Sequence, residues 1–172
     1  AYAAIGTPES TGTRLFCLSG AIARPGVYEV PHGTALGALV EMAGGVPAPH
    51  SVRAILLGGA AGSMLAPDVL SLQLSQEAAR AAGTTLGSGV VMLFDERVDL
   101  AAILRRIARF FRDESCGQCV PCRVGTVRQE EALERGDVIL LDEIGRAMRD
   151  ASICGLGQTA ANVIASARTN LW

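Results

Sequence analysis

Cys116, Cys119 and Cys122 stand at C-x2-C-x2-C spacing inside the stretch ESCGQCVPCRVG, and Cys154 follows 32 positions after the third, in ICGLG. Thiolates this close repel one another unless a cation collects them. The usual collectors are zinc and iron–sulfur clusters. Three sulfurs within seven residues suit one face of a cubane, because a winding loop aims each at a different iron; a distant fourth closes the cage. A structural zinc site more often uses two separated C-x2-C pairs. The spacing therefore points first to a four-iron cluster, with zinc and unliganded thiols as the alternatives.

Four thiolates around such a core leave a compact anion of about −2 in the oxidised state. Arg123 follows the third cysteine directly, and Arg112 and Arg128 flank the loop. Positive charge and N–H donors near the sulfurs favour the reduced form. Gly117 and Gly125 are expected to let the backbone turn and direct amides at sulfur, with Pro121 fixing one φ inside the loop. With cysteine at every corner no iron is open to substrate, which argues for electron transfer. Were Cys154 only a buried thiol, a three-cysteine cluster with an open corner would remain.

The elements that must position these cysteines are legible from periodicity. From Asp99, a plausible N-cap, Leu100, Ile103, Leu104, Ile107, Phe110 and Phe111 recur at helical spacing and predict an amphipathic helix that ends before the cysteine loop. Helices are expected over Thr126–Glu134, Leu140–Met148 and Thr159–Ala167. The first half reads differently. Arg14–Ser19, Val27–Val30, Arg53–Leu57 and Gly89–Phe94 are strand candidates. Pro25-Gly26 marks the first hairpin. Thr34 is expected to cap a helix carrying Leu36, Leu39 and Val40, ended by Gly44-Gly45. Gly58–Gly62 lacks the G-x-G-x-x-G spacing and reads as a structural turn, followed by an irregular stretch from Ser63. Residues 68–82 allow a short helix near Gln76–Ala82. Cys17 is expected as a buried free thiol, and His32 and His50 as solvated loop residues.

Composition narrows the function. Of the 172 residues 49% are hydrophobic, enough for a packed core, while 4% are aromatic, so that core is aliphatic. A net charge of −2 and no basic run leave no footprint for nucleic acid. No stretch reads as a membrane span or a secretory signal. Residue 1 is Ala, which suggests a piece of a longer chain. Thiols at ligand spacing point to a reducing, cytoplasmic compartment.

ESCGQCVPCRVGT followed by SICGLGQTAAN resembles the C-terminal part of the flavin-binding subunit of NADH dehydrogenases. That family includes the respiratory complex I subunit and the beta subunits of NAD-dependent formate dehydrogenases and hydrogenases. CVPCRVGTVRQEEAL and LLDEIGRAMRDASICGLGQ look most similar to the formate dehydrogenase branch. LFCLSGAIARPGVYEV, AGGV and AILLGGAAG resemble the family's SLBB domain.

The resemblance implies an α+β chain: residues 1–13 a linker or cut end, 14–97 a β-grasp-like SLBB domain, and 98–172 a helical 4Fe-4S-binding domain. It implies that Cys116, Cys119, Cys122 and Cys154 ligate the cluster and that Gly155, Leu156 and Gly157 approach the flavin. It places FMN and NAD in a preceding domain outside this chain. The implied partners are a 2Fe-2S-bearing gamma-type subunit and an iron–sulfur catalytic alpha-type subunit. The segment between the third and fourth cysteines looks shortened near Arg135-Gly136, so a chain break between about Glu134 and Val138 is expected.

Overall fold

The computed structural model describes residues 1–171, within which Ala1–Val98 and Asp99–Asn170 form two compact units. Trp172, at the end of the expected helical domain, lies outside the described residues.

The first unit is a mixed five-stranded sheet in the order β2-β1-β5-β3-β4. Strands β1 (Thr13–Gly20) and β2 (Gly26–Pro31) form the hairpin, and α1 (Leu36–Met42) follows. Then come β3 (Val52–Leu57), β4 (Ser63–Leu65), α2 (Gln76–Ala81) and β5 (Val90–Asp95). Among the described residues only β1 and β5 pair in parallel, at the centre of the sheet. A helix after the first hairpin, grasped by such a sheet, is the β-grasp arrangement. Alternation along β1 turns Phe16 and Leu18 into a core shared with Leu36, Leu39, Ile55, Leu57 and Leu93.

The same alternation corrects one expectation. Cys17 falls between two inward residues and is exposed, not buried. Other details differ as well. Thr34 donates to the Pro31 carbonyl at 2.8 Å, so the N-cap of α1 is Ala35. The stretch from Ser63 is β4, followed by a 3-10 turn over Pro67–Ser71. His50 is tied to Glu96 at 2.7 Å instead of standing free, and His32 Nδ1 lies 3.3 Å from the Leu74 carbonyl. Residues 1–13 are not a loose linker. Ser10 is buried, and Thr7 and Ser10 donate to the Glu77 carboxylate at 2.5 and 2.6 Å.

The second unit is helical. Asp99 caps α3 (Leu100–Asp113) by accepting the Ala102 amide at 3.1 Å. Leu100, Leu104, Ile107, Ala108 and Phe111 are its buried face; Phe110, expected inside, is 46% exposed and meets Phe111 edge-on. Next come α4 (Val120–Arg135) and α5 (Val138–Ala151). The chain runs unbroken between them, against the expected gap. Gly136, at φ 68°, ends α4 while the Asp137 amide bonds back to the Ala132 carbonyl at 3.0 Å. Asp137 then caps α5 through the Leu140 amide. The single last helix expected over Thr159–Ala167 is two helices, α6 (Gly155–Thr159) and α7 (Asn162–Leu171).

Candidate metal centre

Helix α4 begins earlier than periodicity suggests, and this decides where the thiols sit. Cys119 is its N-cap, with extended backbone at φ −102° and ψ 139°. Pro121 follows in the first turn, where a missing N–H costs nothing. Pro121 is thus a helix starter, not a loop residue, and Cys122 lies within that turn, 5% exposed. Cys116 is exposed on the connection from α3, and Cys154 is exposed as the N-cap of α6.

Gly117, at φ 76°, supplies the left-handed turn between the first two cysteines. Gly125 has a different task from the one expected. It lies inside α4, where a Cβ would come within 2.5 Å of Met148 Cγ, so it admits α5 rather than steering amides.

Two contacts draw the separate halves of the cysteine set together. Cys119 is reached by the backbone amide of Ile153, the neighbour of Cys154. That hydrogen bond is the chief cause holding its thiol below the usual cysteine range; the Cys122 amide and the Ser152 side chain add to it, and burial opposes. Cys122 lies against Gly157, where a Cβ would stand 2.9 Å from Cys122 Cβ. On the other side, Ser115 Oγ lies 3.4 Å from Cys122 Sγ and 3.4 Å from the Gly117 amide that donates to it. Thr126 Oγ1 donates to the Cys122 carbonyl at 2.9 Å.

Of the three arginines, only Arg123 enters the loop, donating to the Gly117 carbonyl at 3.2 Å. Arg112 is matched by Glu130 at 2.6 Å and by Asp113, and Arg128 by Glu131. Ser115, Ser152 and the Ile153 amide were not singled out from sequence. The available signal was a hydroxyl one position before the first cysteine and another two before the fourth.

Among the described residues no three Cys, His, Asp or Glu side chains converge as one metal ion requires. Tetrahedral zinc would hold its thiolates about 3.8 Å apart, given a Zn–S bond of about 2.3 Å. A 4Fe-4S cluster asks for something else, one thiolate for each iron, with N–H and O–H donors around the sulfurs. The donor set fits that request: three or four soft ligands, an amide on Cys119 and hydroxyls beside Cys119 and Cys122.

Residues 102–171 match the family model described as the NADH-ubiquinone oxidoreductase-F iron–sulfur binding region, and residues 15–66 match the SLBB domain. The chain is thus similar to an SLBB domain over residues 15–66 and to the iron–sulfur binding region over residues 102–171. The NADP-reducing hydrogenase subunit HndC of Solidesulfovibrio fructosivorans is 34% identical over 174 residues, covering 96% of this chain and 36% of that protein. The F-type NADH-quinone oxidoreductase subunit of Mycobacterium bovis is 36% identical over 173 residues, covering 96% and 39%. A crystal structure of an NAD+-reducing NiFe hydrogenase superposes with a TM-score of 0.87 at 38% identity, over 98% of this chain and 30% of that one. The chain therefore spans 36% to 39% of the length of these two curated relatives. No helix among the described residues is long and apolar enough to cross a membrane.

Proposed function

We propose that Cys116, Cys119, Cys122 and Cys154 hold one 4Fe-4S cluster, through which this F-type region relays single electrons in an NAD-linked oxidoreductase. The observation that supports the reading is the meeting of the two cysteine segments: Gly157 packs on Cys122 and the Ile153 amide reaches Cys119, so the Cys154 turn lies against two of the three loop cysteines.

The cluster supplies a one-electron carrier when bound. The chain's own residues do the rest. The Ile153 amide favours the thiolate of Cys119. Ser115 reaches the buried sulfur of Cys122. Arg123 holds the Gly117 turn that separates Cys116 from Cys119.

Gly155 is exposed and Leu156 half-buried at the start of α6, whereas Gly157 is buried against Ser152 and Cys122. We place the flavin contact at Gly155 and Leu156, with Gly157 serving the packing beneath them. FMN and NAD belong to the larger parent protein in this reading. Its partners are a 2Fe-2S-bearing gamma-type subunit and a catalytic alpha-type subunit, in the cytoplasm. The formate dehydrogenase branch is favoured by CVPCRVGTVRQEEAL and LLDEIGRAMRDASICGLGQ; the hydrogenase and quinone oxidoreductase relatives mark the other assemblies.

Anaerobic purification with iron, sulfide and zinc analysis tests the cluster. A brown, dithionite-bleachable protein with about four irons per chain is expected. A colourless protein with stoichiometric zinc would overturn it. Identifying the co-purifying subunits, and assaying formate, hydrogen and quinone separately, tests the assembly.

A further inference from the structure

Ser152 ends α5. Its amide donates to the Met148 carbonyl at 3.0 Å, and its own carbonyl accepts from Gln158 Nε2 at 3.0 Å. Both backbone groups are satisfied, yet the hydroxyl is not. Ser152 is 7% exposed, and its Oγ, shut away from water, makes no complete hydrogen bond to any protein atom. Buried hydroxyls without partners are unfavourable and uncommon.

Four helical hydroxyls of the same unit show the usual escape. Thr126, Thr159, Ser166 and Thr169 each donate to the carbonyl four residues back. Ser152 has left the helix at ψ 143°, and its side chain does not take that route.

Where the hydroxyl stands is informative. It lines the crevice that Gly157 keeps open: a Cβ at position 157 would lie 2.3 Å from Ser152 Oγ and 2.9 Å from Cys122 Cβ. It therefore sits beside the Cys122 turn, with a proton to give and no protein atom at hydrogen-bonding geometry to take it. Ser115, by contrast, already accepts from the Gly117 amide while reaching Cys122 Sγ.

We propose that Ser152 is a positioning residue for the metal centre: its O–H donates to sulfur in the crevice beside Cys122 and Gly157 of the loaded site and stabilises the reduced form. This rests on the reading that the cysteines hold a 4Fe-4S cluster. Sulfur gains negative charge on reduction, so a donor aimed at it holds the added electron more tightly and raises the potential.

The test uses the full protein, prepared anaerobically, as wild type, Ser152→Ala and Ser152→Thr. Iron content is measured first, then the midpoint potential by EPR-monitored titration. Ser152→Ala is expected to keep its iron and hold the electron about tenfold less tightly, a fall of about 59 mV for a one-electron couple. Ser152→Thr is expected to return towards the wild-type value. Should Ser152→Ala not load while Ser152→Thr does, the requirement for the hydroxyl is upheld. A fully loaded Ser152→Ala protein with an unmoved potential overturns the proposal, as do equal shifts in both variants or failure of both to load. Absence of iron from the wild type itself would instead reject the cluster reading beneath it.

Discussion

Gly157 lies directly against Cys122: a single methyl group at position 157 would stand 2.9 Å from Cys122 Cβ and 2.3 Å from Ser152 Oγ. The turn after the fourth cysteine and the first turn of α4 approach this closely because one of them has no side chain there. Gly157 does not have positive φ, so the glycine is required by space and not by backbone conformation.

Gly157→Ala is therefore expected to push the Cys154 turn away from Cys122. Overpacking of this kind costs about 1–3 kcal/mol. The purified variant should carry less iron per chain than wild type and melt earlier. Full iron content with an unchanged melting temperature would show that the crevice has more room than the contact allows.

The ligand assignment makes an asymmetric prediction. Cys122→Ser and Cys154→Ser should each lose or degrade the cluster and lower the unfolding midpoint, because metal binding is also folding energy. Cys17→Ser should do neither, since Cys17 is exposed on β1 in the other unit. Iron analysis and visible spectra of the three variants decide it; the reverse pattern would mean that the wrong thiols have been assigned.

Gly125 and Met148 form the second close approach. A Cβ at 125 would lie 2.5 Å from Met148 Cγ and 2.7 Å from its Sδ, and Met148 is fully buried. The intrinsic gain of alanine over glycine in a helix, about 0.5–1 kcal/mol, is smaller than the strain of about 1–3 kcal/mol. Gly125→Ala should thus destabilise the protein. Met148→Ala alone should cost about 2–5 kcal/mol. The double variant should lose less than the sum, because the methyl fills part of the vacated space. Strict additivity in denaturant titrations would refute the contact.

The first unit carries a pH dependence of its own. The hydroxyls of Ser10 and then Thr7 lower the Glu77 pKa from 4.5 to about 2. A carboxylate depressed in the folded state stabilises fully above its unfolded value, and that contribution fades as pH falls through the folded one. Stability tied to residues 1–13 should therefore decline between about pH 4.5 and about pH 2. Glu77→Gln should be less stable than wild type at neutral pH, with the difference closing over that window. Parallel unfolding midpoints across it would rule the linkage out.

Legibility differed between elements for physical reasons. Helix α3 was readable because one face is apolar at a 3.6-residue period and Asp99 marks its start. Helix α4 starts six residues before the stretch its periodicity marks. Its first turn carries Pro121 and Cys122, which look like loop chemistry, although proline is at home in a first turn. Cys17 was misplaced through its residue type, when the alternation of Phe16 and Leu18 already put it on the outer face. Residues 1–13 show no periodicity, and they are held by side-chain bonds to Glu77, some 70 positions away in sequence.

What the sequence determined by itself is the chemistry on offer: four thiols at cluster spacing, helices to carry them, and a strand-rich unit before them. These follow from residue type and local period, which act over a few positions. The tertiary structure alone decided that Ile153 reaches Cys119, that the Ser152 hydroxyl is shut into the crevice beside Gly157, and that Gly157 and Gly125 are needed for their absent side chains. Such facts depend on which distant surfaces pack together, and close packing leaves no trace in the spacing of the residues that make it.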